Sequence, residues 1–140
     1  MSLDPEQLKL LAKRFYEEVL NHGDLVVIDE LVADDFVEHE EMPGIPATRE
    51  GVRAWVTLMR AAFPDLIVTV NQMIASGDEV WVHMTIRGTH HGPFLDIAPT
   101  GRKVEIAGID RVRVRDGKAV EHWGVTDNLA LLQQLGQIPA

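Results

Sequence analysis

The sequence predicts an α+β domain in which helices from the first half of the chain cover one face of a curled antiparallel sheet from the second half. Apolar residues recur at helical spacing as far as residue 63, whereas from residue 66 onward they alternate with polar residues at a period of two. Turn signals at 76–78 and at Asp116-Gly117 divide the second half into two hairpins. With 140 residues, of which 46% are hydrophobic, residues 1–140 are predicted to form a single domain with a sizeable core.

Two helices are predicted before residue 36. The first begins at Asp4-Pro5-Glu6, because proline fits the first helical turn, and Gly23 ends it. Asp24 can cap a second, shorter helix that runs out in the acidic segment 33–35. Both helices carry an apolar stripe that can pack against a sheet.

A short extended piece over 36–39 leads to a third helix, for which Thr48 is the predicted cap and Pro64 the stop. The predicted strands cover 66–75, 79–89, 103–114 and 119–126, and a last helix over 129–135 follows a cap at Asp127 or Thr126. Helices on one side of a strongly twisted sheet allow it to curl into a cone whose open mouth is a pocket.

Composition restricts the function classes. The formal charge of −9 disfavours nucleic acids and anionic membranes as partners, because phosphate binding needs clustered Lys and Arg side chains. No apolar run reaches the length of a membrane span, and the chain has no Cys, so we expect an unexported, cytoplasmic protein without disulfides. It has no Gly-rich phosphate loop and no nucleophile motif, so we expect neither a cofactor nor an acyl-enzyme intermediate.

Asp110 stands where the surrounding pattern favours a hydrocarbon. The run 102–115 alternates with period two and places Asp110 on the same side as Ile106, Val112 and Val114. A buried ionised carboxylate is costly unless it finds partners or stays protonated. Both states are useful in an active site. The alternative is a structural carboxylate that is bonded to the backbone or to a nearby His or Arg.

Several segments carry a resemblance to a known family. They are Phe63-Pro64-Asp65-Leu66, Gly88-Thr89-His90-His91-Gly92, Arg115-Asp116-Gly117-Lys118, Glu121-His122-Trp123 and the stretch from Asp127 to Gly136. With the order of elements, they resemble SnoaL-like "ester cyclase" sequences of the nuclear transport factor 2-like superfamily, which also includes ketosteroid isomerases. The resemblance implies a cone-shaped sheet with three N-terminal helices and a short C-terminal helix. It also implies a homodimer that forms through the outer face of the sheet.

The resemblance further implies roles for individual residues. Tyr16 falls where ketosteroid isomerases have an oxyanion-hole tyrosine, and Asp110 falls where they have a protonated carboxylic acid as the second donor. The general base corresponds to His39, or to Glu40 if the correspondence is off by one. Only one of these two side chains can face a pocket, because neighbouring residues of a strand point to opposite sides.

The last strand differs from that of the cyclases, whose acid–base aspartate follows the position of Trp123. Here that residue is Gly124. By alternation His122, Gly124 and Thr126 point inward, so the glycine is predicted to enlarge the pocket. His122 can then be an acid–base group, the partner of Asp110 or a satisfied core histidine. The predicted apolar lining consists of Trp55, Met59, Met84 and Phe94.

The predicted activity is cofactor-independent acid–base proton transfer in the cyclisation or isomerisation of a small apolar carbonyl compound such as a polyketide. Two alternatives stay open. One is a non-catalytic binding module, which the missing carboxylate at Gly124 favours, and the other is a hydrolase or dehydratase of the same fold. We expect no metal, because adjacent residues such as His90 and His91 point apart at a strand end.

Overall fold

The computed structural model describes residues 2–140 and has the predicted α+β class. The helices are α1 (Pro5–Arg14), α2 (Val27–Leu31), α3 (Arg49–Ala62) and α4 (Asn128–Gln134), and a π-helical segment, Phe15–Asn21, follows α1 directly. The strands are β1 (Val32–Glu38), β2 (Ile67–Ser76), β3 (Glu79–Thr89), β4 (Lys103–Arg115) and β5 (Lys118–Thr126). They form one sheet in the order β1-β5-β4-β3-β2, which curls over the helices without closing. Within residues 2–140, no helix has both the length and the apolar character that crossing a membrane requires.

Side-chain caps fix the starts of three helices. Asp4 accepts a hydrogen bond from the backbone N–H of Gln7 (2.8 Å), and Thr48 accepts one from Gly51 (3.4 Å). Asp127 likewise accepts from the first turn of α4. These oxygens satisfy N–H groups that have no partner within the helix, which is why the predicted starts of α1 and α3 are confirmed.

The second helix and the first strand differ from the prediction. Asp24 does not cap α2, because Val26 occupies the cap position and makes no side-chain bond. The acidic segment 33–35 belongs to β1 and does not end a helix, since β1 pairs with β5 on both sides of it, at Val32 and at Val37–Glu38, with an irregular register between these points. That pairing is parallel, so the sheet is not wholly antiparallel. The partner of β1 lies far along the chain, and local sequence gives no signal for it.

Strand register decides which side chains face the helices. Asp110 of β4 lies between Val82 of β3 and Gly124 of β5. The parallel pairing of β1 with β5 sets Glu38 beside His122. Asp110, His122 and Gly124 therefore share the inner face of the sheet, which also carries the hydrophobic core.

Candidate active site

An apolar cavity of about 350 Å³ lies between the inner face of the sheet and the helices. This volume is in the range of small-molecule sites. Five residues predicted to line a pocket are on its wall: Trp55, Met59, Met84, Phe94 and Thr126. The charged groups of the wall cluster at one end, where β1, β4 and β5 meet.

A chain of hydrogen bonds crosses this polar end. The hydroxyl of Tyr16 donates to Oδ2 of Asp110 (2.6 Å), and Oδ1 of Asp110 is bonded to Nε2 of His122 (2.6 Å). The other ring nitrogen of His122, Nδ1, is bonded to the carboxylate of Glu38. The chain thus joins the helical layer to the edge strand through three side chains of the sheet.

Each member of the chain is placed by a different element. Tyr16 lies in the π-helical segment, a type of turn that recurs at functional sites, and only 3% of its surface is exposed. Asp110 enters from β4. His122 and Glu38 are register partners on β5 and β1, so their side chains stand side by side.

The hydrogen-bonded chain carries a positive charge at its centre, on His122. Burial by itself would lower the pKa of His122, but hydrogen bonds to Asp110 and Glu38 outweigh it and raise that pKa to about 10. His122 is therefore an imidazolium at neutral pH, and both of its N–H groups donate. Burial, together with the nearby Asp110 carboxylate, raises the pKa of the Tyr16 hydroxyl well above its ordinary value, so Tyr16 stays neutral.

Asp110 is bonded through both of its oxygens. The resemblance to ketosteroid isomerases implied a protonated Asp110 that donates a hydrogen bond. In the structure Tyr16 and His122 are the donors and Asp110 lies between them as the acceptor. An imidazolium at hydrogen-bond distance favours an acceptor as its partner, and the protonated form of Asp110 stays a prediction of the resemblance.

Glu40 lies at the same end of the cavity. Its Oε2 accepts a hydrogen bond from the hydroxyl of Thr126 (3.1 Å), and its backbone N–H donates to the carboxylate of Glu38 (3.1 Å). Burial raises the pKa of Glu40 above its ordinary value, although the positive charge of His122 opposes this shift. A raised pKa makes this carboxyl group a stronger base than an ordinary glutamate.

His39 lies outside the cavity. Its ring stacks on Trp123, with the centroids 4.6 Å apart, and its Nε2 is bonded to Glu121 (2.8 Å). The two alternatives for the base are thus separated by position: Glu40 faces the cavity and His39 faces away, as alternation along an extended chain requires. His39 is therefore corrected to a residue of the outer face.

The absence of a side chain at Gly124 does not enlarge the cavity. The carboxylate of Glu40 occupies the space beside Gly124, where a Cβ atom would stand. The prediction of a larger pocket at this position was wrong, because a side chain from another part of the chain fills the space.

Three potential metal ligands, Glu40, Asp110 and His122, have atoms within 4.8 Å of one another. Both ring nitrogens of His122 are bonded to carboxylates, so a cation would first have to displace a proton from the imidazolium. His90 and His91 do not converge on a common point, because His90 is fully buried and His91 is exposed. The donor set fits acid–base chemistry better than ion binding.

Sequence reasoning missed Glu38, which holds the outer end of the hydrogen-bonded chain. A signal was present. Phe36 is buried, and a period of two from Phe36 places Glu38 and Glu40 on the same side. The π-helical segment around Tyr16 has no comparable signal in the sequence.

An open, curled sheet that wraps helices around an apolar cavity with buried acid–base groups defines the nuclear transport factor 2-like class of domains. The model of one family within it, described as SnoaL-like polyketide cyclase, matches residues 10–135. The chain belongs to the SnoaL-like polyketide cyclase family. No curated protein sequence matches it.

Solved structures support the assignment. TsrD from Streptomyces laurentii is 28% identical, with a TM-score of 0.90 over 98% of this chain and 100% of that one. IdmH from Streptomyces antibioticus, a proposed polyketide cyclase, is 39% identical, with a TM-score of 0.80 over 93% and 99%. AclR from Streptomyces galilaeus, a proposed hydroxylase, is 30% identical, with a TM-score of 0.83 over 96% and 84%.

Proposed function

We propose that this protein is an enzyme that transfers a proton at carbon in a small apolar carbonyl compound, such as a polyketide, without a bound cofactor. The observation that carries the proposal is the Glu40 carboxyl group, whose pKa is raised by burial, beside an imidazolium in the wall of an apolar cavity. Enolisation requires a base at the carbon next to the carbonyl group and a positive charge near the carbonyl oxygen.

In the proposed reaction Glu40, in its carboxylate form, takes the proton from the carbon next to the carbonyl group. The C–H electron pair becomes the carbon–carbon double bond of an enolate, and the negative charge moves to oxygen. Glu40 then returns the proton to another carbon in an isomerisation. In a cyclisation, the enolate carbon attacks a second carbonyl group, and Glu40 protonates the resulting alkoxide.

The hydrogen-bonded chain stabilises the enolate oxygen. Tyr16 and His122 both donate to Asp110 in the free protein. An enolate is a stronger base than a carboxylate, so an enolate oxygen beside these two donors competes with Asp110 for their protons. Asp110 then acts as a positioning residue that keeps both donors aimed at one point.

The apolar wall supports a substrate with a hydrocarbon frame. IdmH is described as a proposed polyketide cyclase, which favours a polyketide substrate. AclR is described as a proposed hydroxylase, so oxygen insertion is a competing reaction. A hydrolase or dehydratase of the same fold would use the same acid–base groups on water. Labelled solvent oxygen in the product would identify a hydrolase.

The test is hydrogen exchange at carbon. 2-Tetralone, an apolar enolisable ketone, is incubated in D₂O with the protein, and loss of its α-proton signals is followed by NMR. We expect exchange faster than in buffer. Glu40→Gln keeps the shape and removes the base, so it should lower the exchange rate by about 100-fold or more.

Two further variants serve as controls. Glu17→Gln neutralises an exposed helix carboxylate and should leave the rate unchanged. His39→Gln tests the competing base and should change the rate less than about threefold. A rate that Glu40→Gln does not lower refutes Glu40 as the base, and tetralone binding without exchange favours a binding module.

We also propose that the chain is a single domain that pairs with a second copy through the outer face of the sheet. Ile74, Trp81, Ile109 and Val125 expose apolar side chains there. Burying such a face is favourable in a dimer. Sedimentation should give the mass of two chains, and Val125→Asp should shift it towards one. A single-chain mass for the unchanged protein would refute the dimer.

A further inference from the structure

The backbone conformation at position 124 does not require a glycine. It lies in the regular part of β5, directly opposite Asp110, and it is not among the residues with a positive φ angle. Any residue could adopt this backbone conformation. Glycine in the interior of a strand weakens it and often marks a close approach by another group.

The close approach at Gly124 comes from polar groups of the site. A Cβ atom built on Gly124 would overlap Oε1 of Glu40 and would stand 2.8 Å from Cε1 of His122 and 2.9 Å from Oδ1 of Asp110. Cβ atoms in proteins essentially never show contacts under 3.0 Å. One of the neighbours would have to move.

Glu40 is the neighbour most able to move. Asp110 is bonded through both of its oxygens and His122 through both of its ring nitrogens. In the described part of the chain, the Glu40 carboxylate has one hydrogen bond, which it accepts from Thr126. Glu40 follows the end of β1, and its carboxylate reaches over β5 to the space beside Gly124. A side chain at position 124 and the Glu40 carboxylate therefore compete for one place.

We infer that Gly124 is a positioning residue: the space it leaves sets the location of the Glu40 carboxylate beside Asp110 and His122. The inference rests on the proposed acid–base role of Glu40. It also implies that the site has room for one such carboxylate, which can be supplied from position 40 or from position 124.

The first test compares Gly124→Ala with Gly108→Ala. Gly108 lies on the neighbouring strand, and the nearest atoms that a Cβ atom there would meet belong to Met84, at an ordinary 3.6 Å. Gly124→Ala should push the Glu40 carboxylate towards water and lower the tetralone exchange rate about tenfold or more. Gly108→Ala should stay within about twofold of the unchanged protein.

A second readout does not depend on activity. The side-chain carboxyl carbon of Glu40 is followed by ¹³C NMR as pH is varied, with Glu40→Gln to assign the signal. In the unchanged protein its midpoint should lie above 4.5, the ordinary value. In Gly124→Ala the midpoint should fall towards 4.5, because the carboxylate regains water, while Asp110, Glu38 and His122 remain nearby.

The third test moves the carboxylate. Glu40→Ala should lose exchange activity, and adding Gly124→Asp to it should restore the rate at least about tenfold, because the new carboxylate grows from β5 into the vacated space. In a chain that retains Glu40, Gly124→Asp should lower the rate. This reversal of sign is not expected from a purely structural glycine.

The inference is overturned if Gly124→Ala leaves both the exchange rate and the Glu40 midpoint unchanged. It is also overturned if the double variant that combines Glu40→Ala with Gly124→Asp is no faster than Glu40→Ala alone. If Glu40→Gln abolishes exchange while Gly124→Ala changes neither the exchange rate nor the Glu40 midpoint, the proposed function stands and this inference falls. If the unchanged protein does not catalyse exchange, the proposed function falls, and the NMR midpoint alone decides the role of Gly124.

Discussion

Because His122 is protonated in the folded protein, we predict that the free energy of unfolding falls as pH rises. The pKa of this ring is about 10 in the folded protein and about 6.5 in the unfolded chain. Because the folded pKa is the higher one, the stabilisation is fully present below pH 6.5 and is lost as pH rises towards 10. A rise from 6.5 to about 10 corresponds to roughly 5 kcal/mol. The His122 side chain is 17% exposed and is paired with two carboxylates. We therefore expect the free energy of unfolding to fall by about 2–5 kcal/mol.

The assay is urea unfolding at several values between about pH 6.5 and pH 9.5, with the unchanged protein and His122→Gln. Subtracting the two free energies of unfolding removes the contribution of groups that titrate in both proteins. The difference should shrink as pH rises. A difference that stays constant would mean that His122 is neutral in the folded state, and the reasoning would be refuted. If His122→Gln does not fold, an NMR titration of the ring in the unchanged protein gives its pKa directly.

Two further predictions concern the cavity, and a third concerns the cap of α3. Tyr16→Phe removes a donor at the polar end, so the affinity for 2-naphthol, which imitates an enolate, should fall about three- to tenfold in a fluorescence titration, and an unchanged affinity would contradict this role. Among residues 2–140 the wall contains the carboxyl groups of Glu38, Glu40, Glu41 and Asp110 and no Lys or Arg, so the single imidazolium of His122 is outnumbered, and calorimetry should show 2-naphthol binding at least about tenfold tighter than 2-naphthoate. Thr48→Ala should lower the free energy of unfolding by about 1 kcal/mol, because the first turn of α3 loses its cap, and no change in urea unfolding would count against that cap.

Much of the fold was predictable because its signals are local. The period-two pattern and the Asp116-Gly117 turn predicted β4 and β5 to within one residue at each end. The first strand begins earlier than predicted, because Val32 already pairs with Ala119 of β5, and the local sequence gives no signal for that partner. The parallel direction of this pairing was not predicted either, because β1 and β5 lie far apart in the chain.

The site was predictable where a single residue broke a pattern. Asp110 on an apolar face indicated a buried carboxylate that needs partners, and the structure supplies Tyr16 and His122. Glu38 was missed although a period of two from Phe36 indicates its inward direction, because its partner His122 is set by the pairing of β1 with β5.

The sequence by itself determined the class of the fold, the inward direction of Asp110 and His122, and the apolar lining. All of these follow from periodicity and turn chemistry, which act over a few residues. The tertiary structure alone decided that Glu40 and not His39 faces the cavity, and that the space at Gly124 is filled. It also decided the protonation of His122, because that depends on carboxylates from two other strands. Charge and space at a site are set by neighbours that are distant in the chain, and the sequence pattern around a residue does not contain them.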